Sequence, residues 1–174
     1  MYILKELDVN LTKRINNLFN SNKFFLKTLI FITNTCDGKM YLLYFLIIPF
    51  VFPSNGLEIL KIGVCAFGFQ VPIYLIIKNL IKRNRPYHHS DINLYLTPPD
   101  RYSFPSGHCA SSTLLVLIIN MFEPSITPYL IIWMVLIYIS RVALGLHYIS
   151  DVIGGIILGC TSFVVGYNIS QFIL

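Results

Sequence analysis

Six apolar runs, at 24–36, 40–53, 57–80, 107–122, 127–144 and 148–173, take up most of this 174-residue chain and leave little between them for a polar surface. Hydrophobic residues fill 55% of the positions and charged residues only 12%, whereas a soluble domain carries about a quarter charged residues. The runs therefore read as membrane spans, although the first two are short for a hydrocarbon core that needs about 20 helical residues. The expected fold is an all-α integral membrane bundle of six transmembrane helices, one domain over 1–174 with the bundle at 24–173. No apolar core typical of a cleavable signal peptide is evident in the first 23 residues. Pro49, Pro53 and Pro72 are expected to kink or end helices. Gly154, Gly155 and Gly159 offer a small-residue face for close helix packing.

Ahead of the runs, Ile3, Leu4, Leu7, Leu11, Ile15, Leu18 and Phe19 recur at spacings of three and four with Lys5, Glu6, Lys13, Arg14 and Asn16 between them. That pattern predicts an amphipathic helix within 1–22, lying on the membrane surface or on a soluble face of the protein itself. The formal charge is +5, but the basic residues sit in this segment and in one polar loop. An anionic lipid surface or a phosphorylated substrate fits this placement, and nucleic acid does not. Cys36, Cys65, Cys109 and Cys160 are scattered singly through apolar stretches without metal-ligand spacing, as small core residues are.

Polar residues gather in three clusters. Lys78 closes the third run, with Arg85 just past it in the polar loop at 81–104. Pro105, Ser106, Gly107 and His108 lead into the fourth run, which places Ser106 at an N-cap and His108 in the first helical turn. A helix start of this kind favours anions, through its free N–H groups and its dipole. Arg141 ends the fifth run, and His147 and Asp151 open the sixth. With six spans, the loops after the third and the fifth emerge on one face, opposite both termini.

Ionisable groups at membrane depth are costly and usually mark a site. Lys78, Arg85 and Arg141 around one pocket would suit a multiply charged anion such as phosphate, which guanidinium groups grip in bidentate geometry. His147 and Asp151, four apart on a helix face, allow the carboxylate to fix the imidazole tautomer. His108 can then protonate a leaving oxygen. Each cluster alone has a structural reading: a snorkelling cation, a helix-start turn, a capping pair. Their order along the chain and their shared face favour a site.

Lys-x6-Arg-Pro at 78–86, Pro-Ser-Gly-His at 105–108 and Ser-Arg-x5-His-x3-Asp at 140–151 together resemble the signature of the type 2 phosphatidic acid phosphatase family, which includes vanadium haloperoxidases. The resemblance implies that His147 is a nucleophile forming a phosphohistidine, that Asp151 orients it, and that His108 is the general acid. It implies that Lys78, Arg85, Ser106, the Gly107 N–H and Arg141 hold the phosphate, with no metal and no cofactor. It also implies a multi-pass protein of the bacterial inner membrane whose site faces the periplasm. The expected activity is hydrolysis of a lipid phosphate or diphosphate: undecaprenyl diphosphate, phosphatidylglycerophosphate, phosphatidic acid or lipid A 1-phosphate. The competing readings are a phosphotransferase using the same intermediate, and a lipid-binding or transport protein that keeps only the fold. His88 and His89 read as solvated loop residues. Tyr87, Tyr95, Tyr102, Phe104 and Tyr148 read chiefly as interfacial anchors.

Overall fold

The structure, a computed structural model, describes residues 2–19 and 22–173. Residues 1, 20 and 21 of the expected N-terminal segment, residue 174, and the side chains of Ile3 and Leu4 lie outside the described residues. Seven α-helices make up the described chain: α1 (Tyr2–Phe19), α2 (Lys23–Asn34), α3 (Gly38–Val51), α4 (Gly56–Ile81), α5 (Gly107–Phe122), α6 (Thr127–Ala143) and α7 (Ile149–Ser170). A 3-10 turn at Pro86–His88 interrupts the long α4–α5 loop. Helices α2 to α7 fall on the six apolar runs.

The count of six spans is corrected by the register of the first two. Along α2, Leu29 packs with Leu144 and Leu146, Thr33 accepts from Arg141, and Thr35 accepts from Trp133, so α2 descends antiparallel to α6. Helix α3 continues the descent on α4: Tyr41 meets Phe67, Phe45 lies against Gly63, and Pro49 lies against Gly56. With 12 and 14 residues, the two are halves of one broken crossing, each too short to cross by itself. The described chain thus runs the length of the bundle five times, once through α2 with α3 and once through each of α4 to α7. Helix α4, 26 residues and about 39 Å long at 1.5 Å per residue, and α7, 22 residues, are the two among the described residues that are long and apolar enough to span unaided. Pro49 and Pro72 sit inside continuous helices, and Pro53 follows the end of α3.

An odd number of crossings also changes the expectation for the N-terminal side. Helix α1 lies on the same face as the α4–α5 and α6–α7 loops. Asp8 accepts from Arg83 at 2.7 Å and from the Ser150 N–H at 3.1 Å, Lys13 pairs with Asp91, and Asn16 donates to the Ala143 and Asn93 carbonyls. Its polar stripe, with Thr12 and Asn16 fully buried, is turned toward the protein, while Leu7, Leu11 and Leu18 stay exposed. The amphipathic pattern is real but split: Leu7, Leu11 and Leu18 face outward, while Ile15 and Phe19 pack on the bundle beside the buried polar residues.

Helix α7 is central, packed on both α4 and α5. A Cβ at Gly155 would stand 2.5 Å from the Ser106 carbonyl, and one at Gly159 would stand 2.6 Å from the Ala110 carbonyl. The two helices therefore meet backbone to backbone, as small residues allow in membranes. Gly155→Ala is expected to destabilise the bundle by about 1–3 kcal/mol through overpacking, read as a lowered melting temperature in detergent. An unchanged melting temperature would show that α5 and α7 are not held this closely.

Candidate active site

The three clusters converge at one end of the bundle on a cavity of about 210 Å³, lined by Lys78, Arg85, Gly107, His108, Arg141 and His147, among others. Ser106 and Asp151 stand behind this lining. Ser106 is fully buried as the N-cap of α5, its hydroxyl accepting from the Cys109 N–H, and its own N–H donates to the Asp151 carbonyl at 3.0 Å. That bond ties the Pro-Ser-Gly-His turn to the first turn of α7.

His147 is presented by a tight turn between α6 and α7. Gly145 has φ +75, a conformation that favours glycine, and the His147 N–H returns to the Arg141 carbonyl at 3.1 Å. Because α7 begins at Ile149 with extended Tyr148 as N-cap, His147 lies outside the helix. The expectation that His147 and Asp151 share a helical face is corrected accordingly. Asp151 reaches the histidine from inside the cap, its Oδ2 accepting from the Tyr148 N–H at 2.8 Å and standing 3.7 Å from His147 Nδ1. Its Oδ1 takes Arg83 Nη1 at 2.7 Å.

The opposite ring nitrogen, Nε2, faces the cations: Arg85 Nη1 and Arg141 Nη2 each lie 3.4 Å away. Burial, reinforced by Arg141, Arg85 and Lys78, pushes the His147 pKa well below its ordinary value, so the ring is neutral and Nε2 keeps its lone pair. Arg141 is anchored by donating to Thr33 at 3.0 Å, and Arg85 by donating to the Leu146 carbonyl at 2.8 Å.

Sequence reasoning passed over five residues that complete the arrangement. Asp100, from the α4–α5 loop, accepts from Lys78 Nζ at 2.6 Å and from Arg85 Nη2 at 2.5 Å. Tyr74 hydrogen-bonds both Lys78 and Asp100. Burial raises the Asp100 pKa, but Lys78 and Arg85 outweigh it and bring it down to about 2. Asp100 is therefore ionised through the whole histidine range, and any pH dependence between 5 and 9 belongs to other groups. Asp37, in the break between α2 and α3, lies 2.9 Å from His108 Nε2. Arg83 bridges Asp8 and Asp151. Asp37 carried a readable signal, an ionisable residue between two apolar runs. Asp8 and Asp100 sit in polar stretches where nothing singles them out. His88 and His89 are exposed, while Tyr148 is buried as a cap against Arg83.

The fold and this pocket define a helical membrane protein with a buried cationic cavity that holds two histidines. The chain belongs to the PAP2 superfamily, whose sequence profile matches residues 59–173. It is 35% identical over 109 residues to the decaprenylphosphoryl-5-phosphoribose phosphatase of Mycobacterium tuberculosis, a match covering 63% of this chain and 59% of that protein. It is 32% identical over 108 residues to phosphatidylglycerophosphatase B of Bacillus subtilis, covering 56% of this chain and 51% of that one. The matches thus span less than two thirds of these curated relatives. The fold resembles that of Aquifex aeolicus LpxE, with a TM-score of 0.81 at 22% identity, over 93% of this chain and 95% of that one. It also resembles a transmembrane PAP2-type phosphatidylglycerolphosphate phosphatase from Bacillus subtilis, with a TM-score of 0.76 at 23% identity, over 100% of this chain and 89% of that one.

Proposed function

We propose that this protein is a membrane phosphatase that hydrolyses a lipid phosphate through a phosphohistidine on His147. The carrying observation is the orientation of that ring, with Nε2 toward Arg85 and Arg141 and Nδ1 toward Asp151. Family membership and the names of the relatives support the same reading.

A phosphate entering the cavity would exchange with Asp100 for Lys78 and Arg85 and meet the Gly107 N–H at the start of α5. Nε2 of His147 attacks phosphorus in line while the bond to the leaving oxygen breaks, and His108 donates a proton to that oxygen. Arg85, Arg141 and Lys78 neutralise the charge that builds on the other phosphate oxygens. Water then attacks the phosphohistidine and gives its proton to His108, releasing phosphate and restoring both histidines. Because one histidine must be neutral and the other protonated, the rate is bell-shaped in pH.

The general acid can be isolated by choice of leaving group. His108→Ala should lower kcat/KM for alkyl phosphate esters, which reports the step that expels the leaving group, by about 10²–10⁴ and far less for p-nitrophenyl phosphate, whose leaving group needs no proton. Equal losses on both would contradict the assignment.

In this reading the site faces the outside of a bacterial inner membrane, with α1 in the outer interface and the end of α7 in the cytoplasm. The site face is rich in cations, but Lys13, Lys78, Arg83 and Arg85 are held by carboxylates, which weakens their pull as inside-facing charges. A fluorescent reporter that folds only in the cytoplasm, fused after α7, should fluoresce; a dark fusion together with an active alkaline phosphatase fusion at the same point would reverse the orientation. Phosphate release by purified protein with EDTA present, across the four candidate lipids, tests the activity itself. Release from at least one of them supports the phosphatase, and release from none sinks it.

A further inference from the structure

Below His108 the cavity continues into the bundle, and its deeper wall carries a polar pair that the chemistry above does not use. Gln70 lies two turns before Lys78 on α4, and Ser111 lies one turn after His108 on α5; both line the cavity. Gln70 is 2% exposed, and its Nε2 donates to Ser111 Oγ at 2.9 Å. Its other amide atom, Oε1, is buried without a hydrogen-bond partner among the described residues. Buried amide groups in a membrane interior are costly unless satisfied, and an orphaned one calls for an explanation. The cavity is also lined by Val71, Leu75, Tyr41 and Cys36, which bring no ionised group to it.

The place of this pair relative to the reacting groups is specific. His147 and the three cations stand at the outer end of the cavity, and His108, the acid for the leaving oxygen, lies between them and Ser111 along α5. A leaving alcohol that takes its proton from His108 and extends into the bundle would pass this pair.

We propose that Gln70 and Ser111 form a subsite for a hydroxyl of the leaving alcohol, one carbon away from the phosphate ester, so that the preferred substrate is the phosphomonoester of a polyol such as a glycerol or sugar headgroup. This rests on the phosphatase reading of the same cavity. A hydroxyl both donates and accepts, so it satisfies the free end of the amide whichever way the amide is turned. A phosphate carried directly on a hydrocarbon chain, or on an alcohol with no free hydroxyl, leaves that buried group unmet. Sites built to bond a substrate hydroxyl discriminate strongly against analogues lacking it.

The matched probes are glycerol 3-phosphate and n-propyl phosphate, which share chain length and phosphate and differ only in hydroxyls. Each is titrated as an inhibitor of phosphate release, by the purified full chain, from whichever of the four candidate lipids it turns over fastest. Glycerol 3-phosphate is expected to have the lower inhibition constant by about tenfold, the factor carried by one hydrogen bond to a buried group. In Gln70→Leu the ratio of the two constants should fall toward one. Equal constants in the unaltered protein overturn the subsite, even if Gln70→Leu does not fold. So does a preference that survives intact in Gln70→Leu. Failure of the phosphatase reading looks different: no release from phosphatidic acid or any other lipid, and no measurable inhibition by either probe.

Discussion

Replacing His147 with alanine is expected to abolish phosphate release, with a loss of about 10⁴ or more. Removing a nucleophile from a site of this kind leaves only what the binding groups supply. The substitution removes the nitrogen that faces Arg85 and Arg141 at 3.4 Å and leaves their other anchors, to the Leu146 carbonyl and Thr33, in place. The cationic pocket should persist, so the variant should still bind inorganic phosphate or vanadate while failing to turn over. A variant that neither binds nor turns over would show only that the fold had been damaged. A variant that keeps more than a hundredth of the activity would remove His147 from the chemistry.

The second large effect concerns Asp151. Its carboxylate is completely buried and does three things at once: it accepts from Arg83, it caps the Tyr148 N–H, and it stands opposite His147 Nδ1. Asp151→Asn keeps the shape and can keep the cap, but it removes the charge that selects the tautomer with the proton on Nδ1. By analogy with an orienting carboxylate in hydrolase triads, kcat should fall by about 10²–10⁴. KM should change little, because Asp151 does not line the cavity. Loss confined to KM would mean that Asp151 acts on binding through Arg83 and α1 instead.

Much of the outer-end site can be read from the sequence because each of its groups breaks an apolar pattern. Lys78, Arg141 and His147 are charged or titratable at membrane depth, and Pro-Ser-Gly-His marks a helix start; the structure brings all of them to one cavity. What could not be read is mostly the second partner of each cation. Asp100 and Asp8 lie in stretches that are polar throughout, so hydropathy gives them no contrast, and their contacts span 15 and 75 residues of sequence with Arg85 and Arg83. The span count failed for a different reason. Two apolar runs separated by Asp37, Gly38 and Lys39 look like a hairpin, and only the descending register against α6 and α4 shows that the chain keeps going in one direction. The break has a physical use: it brings Asp37 to the His108 ring at 2.9 Å. The amphipathic N-terminal helix was legible as a pattern, but which face met the protein depended on the polar loop it covers.

Rapid quenching of the purified protein with a radiolabelled lipid phosphate that it turns over decides whether the reaction passes through His147. The quench should be alkaline, where a phosphohistidine survives, and should be followed by peptide mapping. The account predicts covalent label that is lost in acid, that maps to the peptide containing His147, and that is absent from His147→Ala. Full turnover with no covalent label at any time, or label on His108 instead, would contradict it.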